Sequence, residues 1–211
     1  MEVTLLAITP QPEKLIEAAG RTAYLSFEKV SEGSAGRFCR MLLRRGHESV
    51  LEHASATFRV RGGSRAFTHQ LVRHRLAAFT QQSQRYVEEK GFEAVMPESI
   101  RSNPAAAKLY EEAIAADQQL YDSLRELGIP REDARFILPN AAESELVITA
   151  NLREWRHIIT LRGAKSAQWE IRRFAVLVLE ELAAHAPNVF ADFQIADGGS
   201  RVDQIELKGK S

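Results

Sequence analysis

The sequence is short of cysteine. Cys39 stands alone, so no intrachain disulfide can form, and the chain fits a reducing compartment. It has no surplus of either charge, with 28 Lys and Arg against 28 Asp and Glu. A general polynucleotide binder carries a basic excess, so that class is disfavoured, while a local anion pocket is not. It has no apolar run of about 18 residues, so no membrane-spanning helix is expected. Its opening, MEVTLLAITPQPEK, has no basic start and only a short apolar stretch, which makes a poor signal peptide. No G-x-G-x-x-G is present, so no dinucleotide fingerprint marks a nicotinamide site.

What is present is an ordinary globular composition. The 211 residues are 45% hydrophobic and 27% charged, enough to bury a sizeable core in one large domain or two small ones. Val3 to Thr9 is a nearly continuous apolar run followed by Pro10, which predicts a buried strand. Residues 12–26 and 34–45 predict helices, the second closed by Gly46. Residues 54–61 alternate as a half-buried strand that Gly62 and Gly63 break, and Ser64 then caps a helix to about Arg75.

Asn103, Pro104 and Gly128 bracket a helix over 104–127, with Leu109, Ala113, Ala116, Leu120 and Leu127 on one face. A strand over 144–151, a short helix over 153–161 and a long helix over 167–186 follow, the last with Ile171, Phe174, Ala175, Val178 and Leu182 inward. The polar tail, 197–211, is expected to fray. There is no repeat and no linker, so a single α+β domain spanning 1–211 is the simplest reading.

Chemistry concentrates in RHRLAAFTQQSQRY, Arg73 to Tyr86. On the predicted helix Gln70, Arg73 and His74 share a face near its end. Arginine offers a planar fork of donors suited to phosphate or a uracil edge, and an amide such as Gln70 donates and accepts at once. The polar run FTQQSQRY suits a loop in which Ser83 and Arg85 close over an anion. A solvated basic helix end is the competing reading for Arg73, His74 and Arg75 alone.

The stretch GHESVLEH, Gly46 to His53, tempts a metal reading. However, His47 and His53 stand six apart rather than four, and no Cys/His set completes a site, so no metal is expected. His47 is either a structural histidine or a ligand neighbour, and Ser49 either a helix cap or a ligand contact. In NLREWRHIITLRGAKSAQWE, Arg153 and His157 share a helix face, Trp155 and Ile159 read as core, and Arg162 sits beside Gly163. Arg135 lies against Phe136, Ile137 and Leu138, where an arginine needs an anionic partner, either Glu143 or a ligand phosphate.

Together these stretches resemble the flavin-dependent thymidylate synthases. R-H-R, seven residues and S reads here as RHRLAAFTQQS, with SQRY continuing it. GHESVLEH is similar to the family's G-H-E-[ST]-x-x-E-H, and LRGAKSAQWEI to its L-R-x-x-x-x-A-Q-W-E-I. The matches keep family order over residues 20 to 190. The resemblance implies an antiparallel sheet packed by helices, a homotetramer with sites shared between subunits, and FAD at the interfaces. It implies that dUMP, 5,10-methylenetetrahydrofolate and NADPH give dTMP, tetrahydrofolate and NADP⁺ in the cytoplasm, with no nucleic-acid or membrane partner.

By position, it implies dUMP contacts from Gln70, Arg73, Gln81, Ser83, Arg85, Arg135 and Arg162. It implies FAD contacts from Ser49, His74, Arg75, Leu76, Asn151, Arg153 and His157. Arg162 matches the arginine facing the uracil ring, and His47 a histidine near flavin and folate. The chain departs from the family at Ala78 and Thr80, where many members have Ser and Asn. It departs again at Gln81, where Glu is common, and at His157, where Asn also occurs.

Cys39 lies mid-helix in RFCRMLL and reads as a small buried hydrophobe, so no cysteine nucleophile is expected. Two other classes stay open at this point. One is a flavin- or nucleotide-binding protein without turnover. The other is an RNA or DNA binder using the Arg73–Arg85 patch, which would show steep salt dependence.

Overall fold

The computed structural model describes residues 1–207. Its strands are β1 (Glu2–Ile8), β2 (Ser55–Ser64), β3 (Ala78–Gln81), β4 (Glu143–Asn151), β5 (Phe193–Ala196) and β6 (Arg201–Gln204). Its α-helices are α1 (Pro12–Thr22), α2 (Ser34–Arg45), α3 (Arg65–Leu71), α4 (Glu98–Arg101), α5 (Pro104–Glu126), α6 (Arg131–Ala134), α7 (Leu152–Gly163) and α8 (Trp169–His185). The class is α+β. One sheet runs in the order β1-β2-β4-β3, and β5 and β6 form a separate antiparallel hairpin. Among the described residues no helix is long and apolar enough to cross a membrane.

The chain forms two compact units, each assembled from three separate segments. The first takes Met1–Glu2, Val60–Arg73 and Thr80–Leu146. Its core includes Phe67, Leu71, Tyr121 and Leu146, all at 1% exposure or less. The Tyr121 hydroxyl accepts from the Glu89 amide (3.2 Å), which gives that buried ring a satisfied polar end. The second unit takes Val3–Arg59, His74–Phe79 and the chain from Val147 onward. There Trp155 meets Phe58 edge-on at 5.1 Å and donates its indole N–H to the Ala56 carbonyl (3.1 Å). The predicted inward face of α8 (Ile171, Phe174, Ala175, Val178 and Leu182) is fully buried.

Local sequence explains the helix boundaries. The Ser64 hydroxyl accepts from the Phe67 amide, Asn103 from Ala105 and Ala106, Asn151 from Glu154, and Gln168 from Glu170 and Ile171. Gly46 ends α2 at φ +67°, a conformation L side chains adopt only with strain.

Several expectations are corrected. The run beginning at Val3 is a strand at the sheet's edge, half-exposed along its length, with Leu6 outward. Its hydrophobicity therefore does not reflect burial within this chain. β2 runs through Gly62 and Gly63 to Ser64 instead of breaking at them. α3 stops at Leu71, so Arg73 and His74 do not share a helix face with Gln70. The polar run expected as a loop supplies β3.

α5 is rotated from the predicted face. Tyr121 is buried, and Tyr110 donates to the Val95 carbonyl (2.9 Å). Leu109, Leu120 and Leu127 face outward, and Ala113 and Ala116 are exposed. The tail expected to fray is ordered through residues 201–204, because Val202 buries against Gly163 and Gln204 donates to Asp192 (2.8 Å). Residues 208–211 of that expectation lie outside the described residues.

Candidate active site

The predicted contacts divide between the two units. Gln70, Arg73, Gln81, Ser83, Arg85 and Arg135 belong to the first. His47, Ser49, His74, Arg75, Leu76, Asn151, Arg153, His157 and Arg162 belong to the second. Apart from Arg162, the nucleotide set falls in the first unit and the flavin set in the second.

In the first unit two arginines meet Glu132, one at its carboxylate and one at its backbone carbonyl. Arg85 Nε lies 2.8 Å from Glu132 Oε2, and Arg135 Nε donates to the Glu132 carbonyl (3.1 Å). The anionic partner of Arg85 is thus Glu132, whereas Arg135 bonds a backbone carbonyl; Glu143, the protein partner expected for Arg135, is not bonded to it among the described residues. The Arg85–Glu132 pair is about half exposed, so water screens it and it holds Arg85 only weakly. The Ser83 hydroxyl accepts from the Arg85 amide (3.3 Å), and the Arg85 guanidinium lies 5.7 Å from the centre of the Tyr86 ring.

Gln81 is tied inward. Its amide nitrogen donates to the Thr68 and Ser144 hydroxyls, both at 3.0 Å. Arg65 also donates to Ser144 (3.3 Å), and burial, with Arg135 nearby, holds its guanidinium below the usual arginine range. Burial also pushes the Glu89 carboxyl up, against Arg65 and a bond from Gln82. Gln70 projects from α3, its amide nitrogen 3.3 Å from the Ala66 carbonyl. Arg73 is exposed and, among the described residues, pairs with nothing.

In the second unit the centre is His74, 4% exposed. Its Nε2 accepts from Arg162 Nε (2.9 Å), and its Nδ1 faces Glu154 Oε1 (3.3 Å). His157 stacks edge-on at 5.6 Å. Burial, then the positive charge of Arg162, then His157, lower the His74 pKa to about 4, so the ring is neutral at pH 7. Its contact with Glu154 is accordingly a close approach of a neutral ring to a carboxyl and not an ion pair. Burial pushes the Glu154 carboxyl up, while His157 pulls it down.

Ligand atoms of His74, Glu154 and His157 lie within 4.8 Å of one another. That spacing alone would admit a cation. The chemistry opposes one, because Arg162 takes up one His74 nitrogen and places a positive charge beside the trio.

The remaining residues belong to the same unit. Asn151 caps α7 with its side-chain oxygen (2.8 Å to the Glu154 amide), and Arg153 pairs with Glu52. Ser49 lies inside the turn Glu48–His53 rather than capping it, and His47 is its exposed cap. Arg75 and Leu76 are exposed, and among the described residues Arg75 has no partner.

Sequence reading missed Glu132, Glu154 and the buried Arg156, which forks onto Asp192 (2.6 and 2.7 Å). A carboxylate one residue from a candidate arginine, as Glu154 is from Arg153, was the available signal. Burial pushes the Asp192 carboxyl up, but bonds and charge from Arg156 outweigh it and hold the group below the usual range. Cys39 is buried as expected. Burial, with Glu13 and Glu17 nearby, pushes its thiol up to about 12, so it is protonated and inert at neutral pH.

A family model described as "Thymidylate synthase complementing protein" matches residues 4–188. The flavin-dependent thymidylate synthase of Geobacter sulfurreducens is 44% identical over 200 residues, covering 91% of this chain and 86% of its own. The enzyme of the same description from Pyrococcus abyssi is 45% identical over 193 residues, covering 87% and 79%. Among solved structures, thymidylate synthase X from Helicobacter pylori, crystallised with FAD and dUMP, superposes with a TM-score of 0.79. It is 24% identical and covers 91% of this chain and 98% of its own.

Proposed function

The chain belongs to the flavin-dependent thymidylate synthase family, and we propose on that premise that it makes dTMP by reductive methylation of dUMP. The carbon comes from 5,10-methylenetetrahydrofolate and the reducing equivalents from NADPH, giving tetrahydrofolate and NADP⁺. The observation that carries this reading is the 2.9 Å bond from Arg162 to His74. It joins the arginine of the L-R stretch to the central histidine of R-H-R across 88 residues.

The donor set fits the ligands. Arg73 and Arg75 are exposed cations without partners among the described residues, and Arg85 is held only by a screened pair. An incoming phosphate or pyrophosphate can therefore recruit all three without breaking a buried contact. Ser83 and Arg85 hold the dUMP phosphate, with Arg135 beside them. Gln70, Arg73 and Gln81 contact the rest of the nucleotide, and the uncharged Gln81 serves as a hydrogen-bonding partner for a sugar hydroxyl. Ser49, His74, Arg75, Leu76, Asn151, Arg153 and His157 hold FAD, which when bound supplies hydride chemistry. His47 lies near flavin and folate.

Arg162 presents its charge to the uracil and stabilises the negative charge that develops as the ring is activated. The protonated thiol of Cys39 gives the protein no thiolate for covalent activation of uracil, consistent with this division of labour.

The active assembly is a homotetramer with shared sites. The exposed apolar side chains of α5 and the edge strand β1 support that reading. Residues 1–211 act as one domain. A single cysteine, which can form no intrachain disulfide, fits a cytoplasmic location, and zero net charge argues against nucleic-acid or membrane partners.

The test is the visible spectrum of the protein saturated with FAD, made anaerobic and given NADPH with and without dUMP. Bleaching that dUMP accelerates or completes is expected. The Arg162→Ala protein is expected to retain flavin and lose dTMP formation. A well-folded wild type that retains no flavin would overturn the assignment.

A further inference from the structure

Arg162 is aimed in part through His74. Its Nε donates to His74 Nε2, and a nitrogen that accepts a hydrogen bond carries no proton. The proton of the neutral imidazole therefore sits on Nδ1, which faces Glu154 Oε1 at 3.3 Å. Of the two neutral tautomers only this one leaves Nε2 free to receive the arginine. The other would set two N–H donors against each other.

Glu154 Oε1, 3.3 Å away, is the acceptor that faces Nδ1. Its side chain is 6% exposed and that of His74 3%, so water does not readily stand in. Glu154 is itself fixed at the start of α7, where its backbone amide is capped by Asn151. α7 carries both ends of the chain, Glu154 near its start and Arg162 in its last turn. His157, also on α7, closes one side of the ring.

We propose that Glu154 is a positioning residue: acting through His74, it locks the Nδ1-protonated tautomer and thereby aims the Arg162 guanidinium at the pyrimidine. The inference rests on the reading that Arg162 meets the pyrimidine. Glu154 touches neither reactant nor cofactor in this account, and its effect on rate arises from orientation alone.

Two substitutions separate orientation from charge. Glu154→Gln keeps an oxygen acceptor for Nδ1–H, whereas Glu154→Leu keeps the volume and removes the acceptor. The first readout is independent of turnover: two-bond ¹⁵N–¹H correlation spectra of His74 in the flavin-free protein, which distinguish Nδ1–H from Nε2–H. Wild type and Glu154→Gln are expected to show Nδ1–H, and Glu154→Leu a shift toward Nε2–H. The second readout is steady-state kinetics with dUMP. Glu154→Leu is expected to lose roughly 10²-fold in kcat, the order produced by misplacing a reacting group by about 1 Å, while Glu154→Gln retains most activity.

An active wild type with the Nε2–H tautomer would overturn the inference, as would a Glu154→Leu protein with unaltered tautomer and kinetics. If Glu154→Leu fails to fold, the wild-type tautomer and the Glu154→Gln rescue still decide. A wild type with the Nδ1–H tautomer that forms no dTMP from dUMP would overturn the thymidylate synthase reading, and with it the target assigned to Arg162.

Discussion

His74 links the chemistry of the site to the stability of its unit. An unperturbed histidine titrates near 6.5, and His74 is lowered to about 4. The folded pKa lies below the unfolded one, so between those values the unfolded chain binds more protons. The stability from burying a neutral ring is full above pH 6.5 and falls as pH drops toward 4. A shift of this size corresponds to roughly 3 kcal/mol, taken at about 1.4 kcal/mol per pH unit. Urea unfolding of wild type and His74→Gln across pH 4–7 checks this: the two should converge at low pH, and parallel curves would refute the linkage. Asp192 behaves in the same sense lower on the scale, its stabilising bond to Arg156 being lost as pH falls through its depressed pKa.

At the scale of elements, α7 is held from both sides. Its Trp155 packs against the core of its unit, and its Gly163 lies against the hairpin strand β6. A Cβ at Gly163 would come within 2.7 Å of the Val202 Cβ, a contact that requires the strand to move. Gly163→Ala is therefore expected to destabilise by about 1–3 kcal/mol, the usual cost of overpacking. Val202→Ala in the same chain should recover part of the loss, because it removes the side-chain atom at 2.9 Å. Denaturant midpoints of the single and double variants test it, and additive losses would exclude the steric explanation. Because Gly163 follows Arg162 directly, this packing also fixes the end of the helix that carries the proposed uracil arginine.

For the whole molecule the telling feature is what this chain leaves uncovered. Leu109 is 68% and Leu120 46% exposed, on a helix whose inward side is closed by Tyr121, and Leu127 just past its end is 79% exposed. A helix that presents leucines to water along one side is an assembly surface in the proposed homotetramer. Leu109→Lys combined with Leu120→Lys is accordingly expected to shift the sedimenting species to smaller oligomers while helix content is retained. A wild type that sediments as a monomer at micromolar concentration would remove the basis for this. Each compact unit is built from three separate segments, so neither can be cut out as one continuous piece.

The sequence by itself determined the elements that depend on local chemistry. Caps at Ser64 and Asn103 and the apolar stripe of α8 follow from hydrogen bonding and periodicity within a few residues, and they lie where the sequence put them. The signature around Arg73 to Arg85 likewise pointed to the family. Which apolar face is covered was decided only by tertiary structure, because periodicity shows that a stripe exists and not what packs on it. Hence the rotated α5 and the half-exposed β1. The stop of α3 at Leu71, which frees His74 to pair in the second unit, was also beyond local reading. So was the Glu154–His74–Arg162 chain: Glu154 and Arg162, eight residues apart on α7, both stand 80 or more residues after His74, and only folding brings them to it.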